Sequence, residues 1–392
     1  MRVNKENIDR DNKHERALKS ILKRDGKWDC LYPGCTKKSI FSHAISKSIS
    51  LATIAENGHL STIESRRKGN EKNLQFGSVS VQDATAFNGF CETHDALFSP
   101  LDNEEVTSAK DLLLQVFRSV ISECVNESRV SRLSTAGFMS LDIEKIIEQA
   151  DTVEYPFLLE DEGKELFKST FAKMVAAESQ RSAELMVLPN DILERLDVPG
   201  NDSLDGGSVF TTEQLSHYIP YRKLGFQMPV AVNCIIPTVV GGENRDFYFV
   251  VIPYEKSTLV VGVVPKSSDQ MLLDTLMKSF SSDAAAIDLV ESLVISSNEW
   301  YMTPSVLEGI PLNKREIFLQ DSTFGDAHRF YERYEMTLFD DLRKTLAQQK
   351  PELKLELRLD DSDVIPQRES FEVRQERMIA AICAQPFKYL KD

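Results

Sequence analysis

The sequence lacks any apolar run near the roughly 18 residues a membrane-crossing helix needs, so no membrane span is expected. Its first residues, Met1-Arg2-Val3-Asn4-Lys5-Glu6-Asn7, hold no apolar stretch of the kind that directs secretion. Cysteine is scarce, six in 392 residues, which excludes a disulfide scaffold and fits a reducing cytoplasm. A glycine-rich phosphate loop is missing as well: Gly241-Gly242 is followed by no Lys-Ser/Thr and reads as a hairpin turn. No internal repeat is present.

The little cysteine there is clusters. Cys30 and Cys35 stand in Cys-Leu-Tyr-Pro-Gly-Cys, and Cys91 and His94 in Phe-Cys-Glu-Thr-His-Asp. Two close pairs separated by a long insert suit a tetrahedral zinc site, because each tight turn supplies two ligands and the insert brings the pairs together. Cys124, Cys234 and Cys383 stand alone in apolar surroundings and read as buried thiols.

The net charge of −15 hides an asymmetry. Residues 1–82 hold 16 Lys+Arg against 9 Asp+Glu, whereas the remainder holds 30 against 52. The basic part coincides with the cysteine pairs, and cationic groups beside a metal suit a phosphate-bearing partner such as DNA or RNA. A solvated face without a partner accounts for the same excess. The acidic remainder argues against a nucleic-acid groove running across the whole chain.

Hydrophobic periodicity predicts an α+β protein with a helical middle section and a carboxy-terminal antiparallel sheet with flanking helices, and the order Cys-x4-Cys, strands, Cys-x2-His resembles a small zinc treble clef at the amino terminus. The expected divisions are 1–104, 105–198 and 199–392. Helices are expected at 8–25, 46–56, 106–128, 142–150, 164–187, 269–279, 283–293, 326–349 and 368–384. Strands are expected at 38–45, 59–64, 74–83, 230–240, 247–253, 258–264 and 293–297. Asn57-Gly58 ends the second helix. The charged residues 66–72 read as a hairpin tip and 199–208 as a linker or loop.

Cys30, Cys35, Ser42-His43-Ala44-Ile45, Cys91 and His94-Asp95 together resemble the ββα-metal, or HNH, endonucleases over residues 27–98. The resemblance extends to bacterial proteins with an HNH-like amino-terminal segment, some linked to defence against phage. It implies structural Zn²⁺ on Cys30, Cys35, Cys91 and His94, with His43 as general base and Asp95 as ligand of a catalytic Mg²⁺ or Mn²⁺. Arg66, Arg67 and Lys68 would contact phosphate. Two departures stand out: Ser42 occupies a place where that family usually has Asp or His, and Asn57, Asn73 and Asn88 compete for its central Asn.

Alternatives stay open. His43 is either a base, a hydrogen-bonding prop of the knuckle, or a ligand in place of His94. His59 reads as a cap or surface residue, His217 and His328 as packing or capping residues, and Trp300-Tyr301 as a packed aromatic pair or the rim of a ligand pocket. Two functions follow. One is a cytoplasmic metal-dependent nuclease regulated by its acidic carboxy-terminal part; the other is a zinc-stapled binding or sensor protein whose carboxy-terminal domain recognises a protein or small ligand.

Overall fold

The computed structural model describes residues 28–68, 71–140, 184–196 and, with short breaks, 203–384, together with short pieces between 161 and 173. The helices expected at 8–25 and 142–150, and most of that at 164–187, lie outside the described residues. Among the described residues no helix is long and apolar enough to cross a membrane.

Successive side chains of a strand leave opposite faces, and the central strands exploit this on both sides. In β7 (Val230–Val240), β8 (Glu243–Pro253) and β9 (Thr258–Pro265), one set of alternate residues joins one core and the other set joins another. Tyr248, Val250, Ile252, Val261 and Val263 pack with Leu112, Val116 and Phe117 of the helix Ala109–Ser140. Phe247, Phe249, Val251, Val260 and Val264 pack with Ile287, Val290 and Leu293 of the helix Asp283–Ser296. A near-continuous β-branched run is what a strand covered on both faces requires. Full burial of each such side chain contributes roughly 1.5–3 kcal/mol.

These three strands form the expected meander inside a larger antiparallel sheet. Its order is β3-β2-β10-β7-β8-β9-β6-β5, with β2 at His59–Lys68, β3 at Glu71–Ser80, β5 at Gly207–Phe210, β6 at His217–Leu224 and β10 at Trp300–Met302. The short β10 bridges the halves, pairing Met302 with Ser61 on one side and with Val230 on the other. Residues on both sides of the expected boundary at 104 thereby share one sheet. A separate two-stranded ladder joins β1 (Ile40–His43) to β4 (Ala86–Phe90). The fold is α+β.

Several expectations need correction. Residues 293–297 are no strand, because they complete a helix whose Ser282 hydroxyl caps it by accepting from the Ala285 amide at 3.1 Å. That helix is buried nearly all round, so its apolar run imitates a core strand. Of 326–349, Asp340–Gln349 is helical, and a further helix, Leu312–Phe324, precedes it. The intervening chain is held by Glu291, whose Oε1 accepts from the amides of Leu338 and Phe339 at 2.8 and 2.9 Å. Of the two readings of 199–208, Leu204 favours a packed loop over a linker, being buried and donating its amide to the Thr107 carbonyl at 2.9 Å. Arg66, Arg67 and Lys68 belong to β2, paired with Asn73, Lys72 and Glu71, so the hairpin tip is tighter than expected.

Candidate metal centre

Two local turns present the four ligands. After Cys30 the chain reverses through Pro33-Gly34, where Gly34 has φ 75°, a left-handed conformation that glycine adopts without steric cost. The Cys35 amide then donates to the Tyr32 carbonyl at 3.0 Å and the Cys30 amide to the Lys37 carbonyl at 2.8 Å, closing the knuckle. Cys91 caps the single-turn helix Glu92–Asp95, its carbonyl accepting from the amides of His94 and Asp95 at 2.9 and 2.8 Å, so Cys91 and His94 share one turn.

The turns are stitched together by the Leu31 amide, which donates to the Gly89 carbonyl at 2.8 Å. Gly89 is required there: a Cβ would lie 2.5 Å from the ring of Phe87, which is buried and cannot withdraw. Phe90, Phe98 and Phe117 pack beneath, with centroids 4.8 Å apart for Phe90 and Phe98 and 5.7 Å for Phe90 and Phe117.

The ligand atoms of Cys30, Cys35, Cys91 and His94 all lie within 4.8 Å of one another. Cys35 Sγ is 3.8 Å from Cys91 Sγ, and His94 Nδ1 is 3.3 Å from Cys30 Sγ and 3.5 Å from Cys91 Sγ. A tetrahedral zinc, with Zn–S of about 2.3 Å and Zn–N of about 2.0–2.1 Å, sets its ligands about 3.8 Å apart for S–S and about 3.5 Å for S–N. The four residues therefore fit a zinc ion in spacing as well as in donor type.

Protonation follows the same logic. Burial pushes the Cys30 thiol up to about 11. At Cys91 burial also opposes ionisation, but the His94 amide and the neighbouring thiols outweigh it and leave the thiol below its ordinary value. Burial, helped by Lys37, lowers His94 and keeps its imidazole neutral, the form that coordinates metal. Tyr32 stacks on that ring at 3.8 Å and 12°, fixing its plane.

The neighbouring face of the ladder holds His43. Successive residues of β1 diverge, so Ser42 and His43 reach different partners. Ser42, buried, donates its hydroxyl to Asp95 Oδ1 at 2.6 Å. His43 Nε2 lies 3.0 Å from the Gln82 carbonyl oxygen. A carbonyl only accepts, so Nε2 carries the proton and Nδ1 keeps its lone pair. Burial lowers the His43 pKa, and the charges of Arg118 and Lys47 act in the same direction. Arg118 is itself neutralised by Asp102 at 2.8 Å. Asn88 lies where the register of the ladder shifts, between Phe87, which pairs with Ser42, and Phe90, which pairs with Ile40. It is buried, and its Oδ1 has no hydrogen-bond partner among the described residues.

The structure thus unites the four zinc-type ligands and joins Ser42 to Asp95, while His43 is tied to Gln82. Arg66, Arg67 and Lys68 are elsewhere. Ser80, two residues before Gln82, pairs with His59, and Lys72 pairs with Arg67, so eight residues of β3, roughly 27 Å at 3.4 Å per residue, separate the two ends. Gln82 carried no sequence signal, because it acts through a backbone carbonyl.

The other described histidines, His59, His217 and His328, serve structure. Exposed His59 bonds the Asn57 carbonyl at 3.0 Å across the turn. His217 and His328 are both lowered to about 4, chiefly by burial. Trp300 is wholly buried, 5.4 Å from Phe318 and 6.4 Å from Phe76. Cys124 and Cys234 are buried as expected. A cavity of about 370 Å³ opens between β7 and residues 328–331, lined in part by Thr238, Asp321 and His328. Its carboxylate is consumed: Asp321 accepts from Arg368, Arg374 and Tyr334.

No family model, curated protein or solved structure matches the chain.

Proposed function

We propose that the chain is a metal-dependent nuclease whose zinc-type knuckle holds His43 ready to act as general base on a phosphodiester. The observation that carries this reading is the Nε2 bond of His43 to the Gln82 carbonyl, which leaves Nδ1 as a neutral proton acceptor on a rigid strand. In this reading Nδ1 takes the proton of the attacking water, and the ladder holds the ring in place during transfer.

A divalent cation such as Mg²⁺ or Mn²⁺ would supply charge neutralisation at the phosphate and the leaving oxygen. Asp95 is the residue to hold it: Ser42 engages Oδ1, and Oδ2 makes no hydrogen bond among the described residues. Control by the acidic carboxy-terminal part, and a setting in defence against phage, belong to the same proposal.

A second reading is favoured by one observation. Ser42 satisfies Asp95 with a neutral hydroxyl, where a second anionic ligand would serve a cation better. The alternative is a zinc-stapled module that binds without turnover. The deciding experiment is incubation of supercoiled plasmid, single-stranded DNA and RNA with Mg²⁺, Mn²⁺ or neither, with His43→Ala in parallel. Cleavage that needs the cation and fails in the variant supports the nuclease. Zinc-dependent folding without cleavage supports the binding module.

A further inference from the structure

Resting on the nuclease reading, we infer that Lys47 is the residue that receives the substrate phosphate beside His43. The sequence had pointed to Arg66, Arg67 and Lys68 for this role, but those residues sit at the far end of the β2–β3 hairpin from Gln82.

Gln82 is the pivot of the argument. Its backbone oxygen accepts from His43 Nε2 at 3.0 Å, and its side-chain Oε1 accepts from Lys47 Nζ at 3.0 Å. One residue therefore holds both the base and an ammonium group. Lys47 follows His43 by four residues, at the start of the turn Lys47–Leu51, and its side chain is exposed.

Its charge is also unspent. Two cations of the same segment have carboxylate partners, Arg118 bonding Asp102 at 2.8 Å and Lys38 bonding Asp29 at 2.6 Å, while Lys37 bonds the Thr93 hydroxyl at 3.1 Å beside the zinc-type ligands. Among the described residues Lys47 has only the neutral amide oxygen of Gln82. A phosphate oxygen is the stronger acceptor, because a charge-assisted bond is roughly twice as strong as one to a neutral group. Movement of Nζ from Oε1 to a phosphate leaves the His43 bond untouched, since that bond uses the other oxygen of Gln82. The same ammonium disfavours protonation of His43, so it serves the base as well as the substrate.

The test is the salt dependence of duplex DNA binding by the full, zinc-loaded chain without added Mg²⁺ or Mn²⁺, for the parent, Lys47→Ala, Lys47→Arg and Lys38→Ala. The expected result for Lys47→Ala is roughly tenfold weaker binding at low salt. The slope of log K against log salt should fall by about 0.9, one phosphate contact. Lys47→Arg keeps the parental slope, Lys38→Ala matches the parent, and zinc content is equal in all four. A parental slope in Lys47→Ala overturns the inference, and if the parent still cleaves through His43 the nuclease reading survives it. Failure of the parent to bind or cleave any nucleic acid overturns both.

Discussion

Two clusters of ionisable side chains, one at each end of the chain, are built on opposite principles. In the carboxy-terminal half every buried charge among the described residues meets its complement. Arg343, 1% exposed, bonds Asp288 and fully buried Glu291 at 2.6 Å each, and Arg358 adds a contact to Asp288 at 3.4 Å. Lys314, equally buried, bonds Asp340 at 2.7 Å and the Thr337 carbonyl at 2.8 Å. The amino-terminal cluster is convergent instead. The thiols of Cys30, Cys35 and Cys91 and the His94 imidazole face one another at metal-ligand spacing, His43 Nδ1 keeps a lone pair, and among the described residues Lys47 meets only a neutral amide oxygen. Neutralised charge is how a fold tolerates ions in its interior; convergent groups with valence to spare are how it prepares to bind.

The contrast can be broken at either end. Cys91→Ser has the largest expected effect, because structural zinc in small domains contributes about 10–16 kcal/mol of apparent binding energy. Metal analysis should show zinc falling from near one per chain to near none, and hydrogen exchange should quicken in β1 and β4 before the central sheet. Retention of stoichiometric zinc would remove the metal centre from the account.

Glu291→Gln comes next. It removes a charge from a carboxylate that holds Arg343 and the Leu338 and Phe339 amides, and breaking such a buried pair costs about 3–5 kcal/mol. Denaturant unfolding should register that loss with zinc content unchanged.

A smaller effect comes from pH. His217 and His328 are lowered in the fold to about 4, whereas the unfolded chain protonates them near 6.5. Between those values the unfolded state binds more protons, so stability falls as pH drops from about 6.5 and levels off below about 4. The ceiling is on the order of 3 kcal/mol per residue. Thermal melts across that range should show the loss, and His328→Gln should reduce the slope; an unchanged slope would show that His328 is not buried uncharged.

What the sequence made legible was local. Cys30 with Cys35, and Cys91 with His94, could be read because each pair sits on a single turn, where spacing fixes geometry. β7 to β9 could be read because their β-branched runs are long and bounded by turns. Residues 293–297 misled because a helix buried all round shows no amphipathic stripe. β6 passed unnoticed because its Pro220 and the charged pair Arg222-Lys223 hide its pairing with β9. Arg66, Arg67 and Lys68 were credited with a phosphate because charge density is visible in sequence, while the direction in which a hairpin carries it is not. The tie between His43 and Gln82 was out of reach, being a bond to a peptide oxygen that any residue could supply.

The central claim is that His43 acts as a base on a phosphodiester, and the rate of plasmid nicking tests it most directly. Parent and His43→Ala would be compared at matched zinc content and neutral pH, with saturating Mg²⁺ or Mn²⁺. The account predicts cation-dependent nicking by the parent and a loss of about 10²–10⁴-fold in the variant. Equal rates in the two proteins would contradict it.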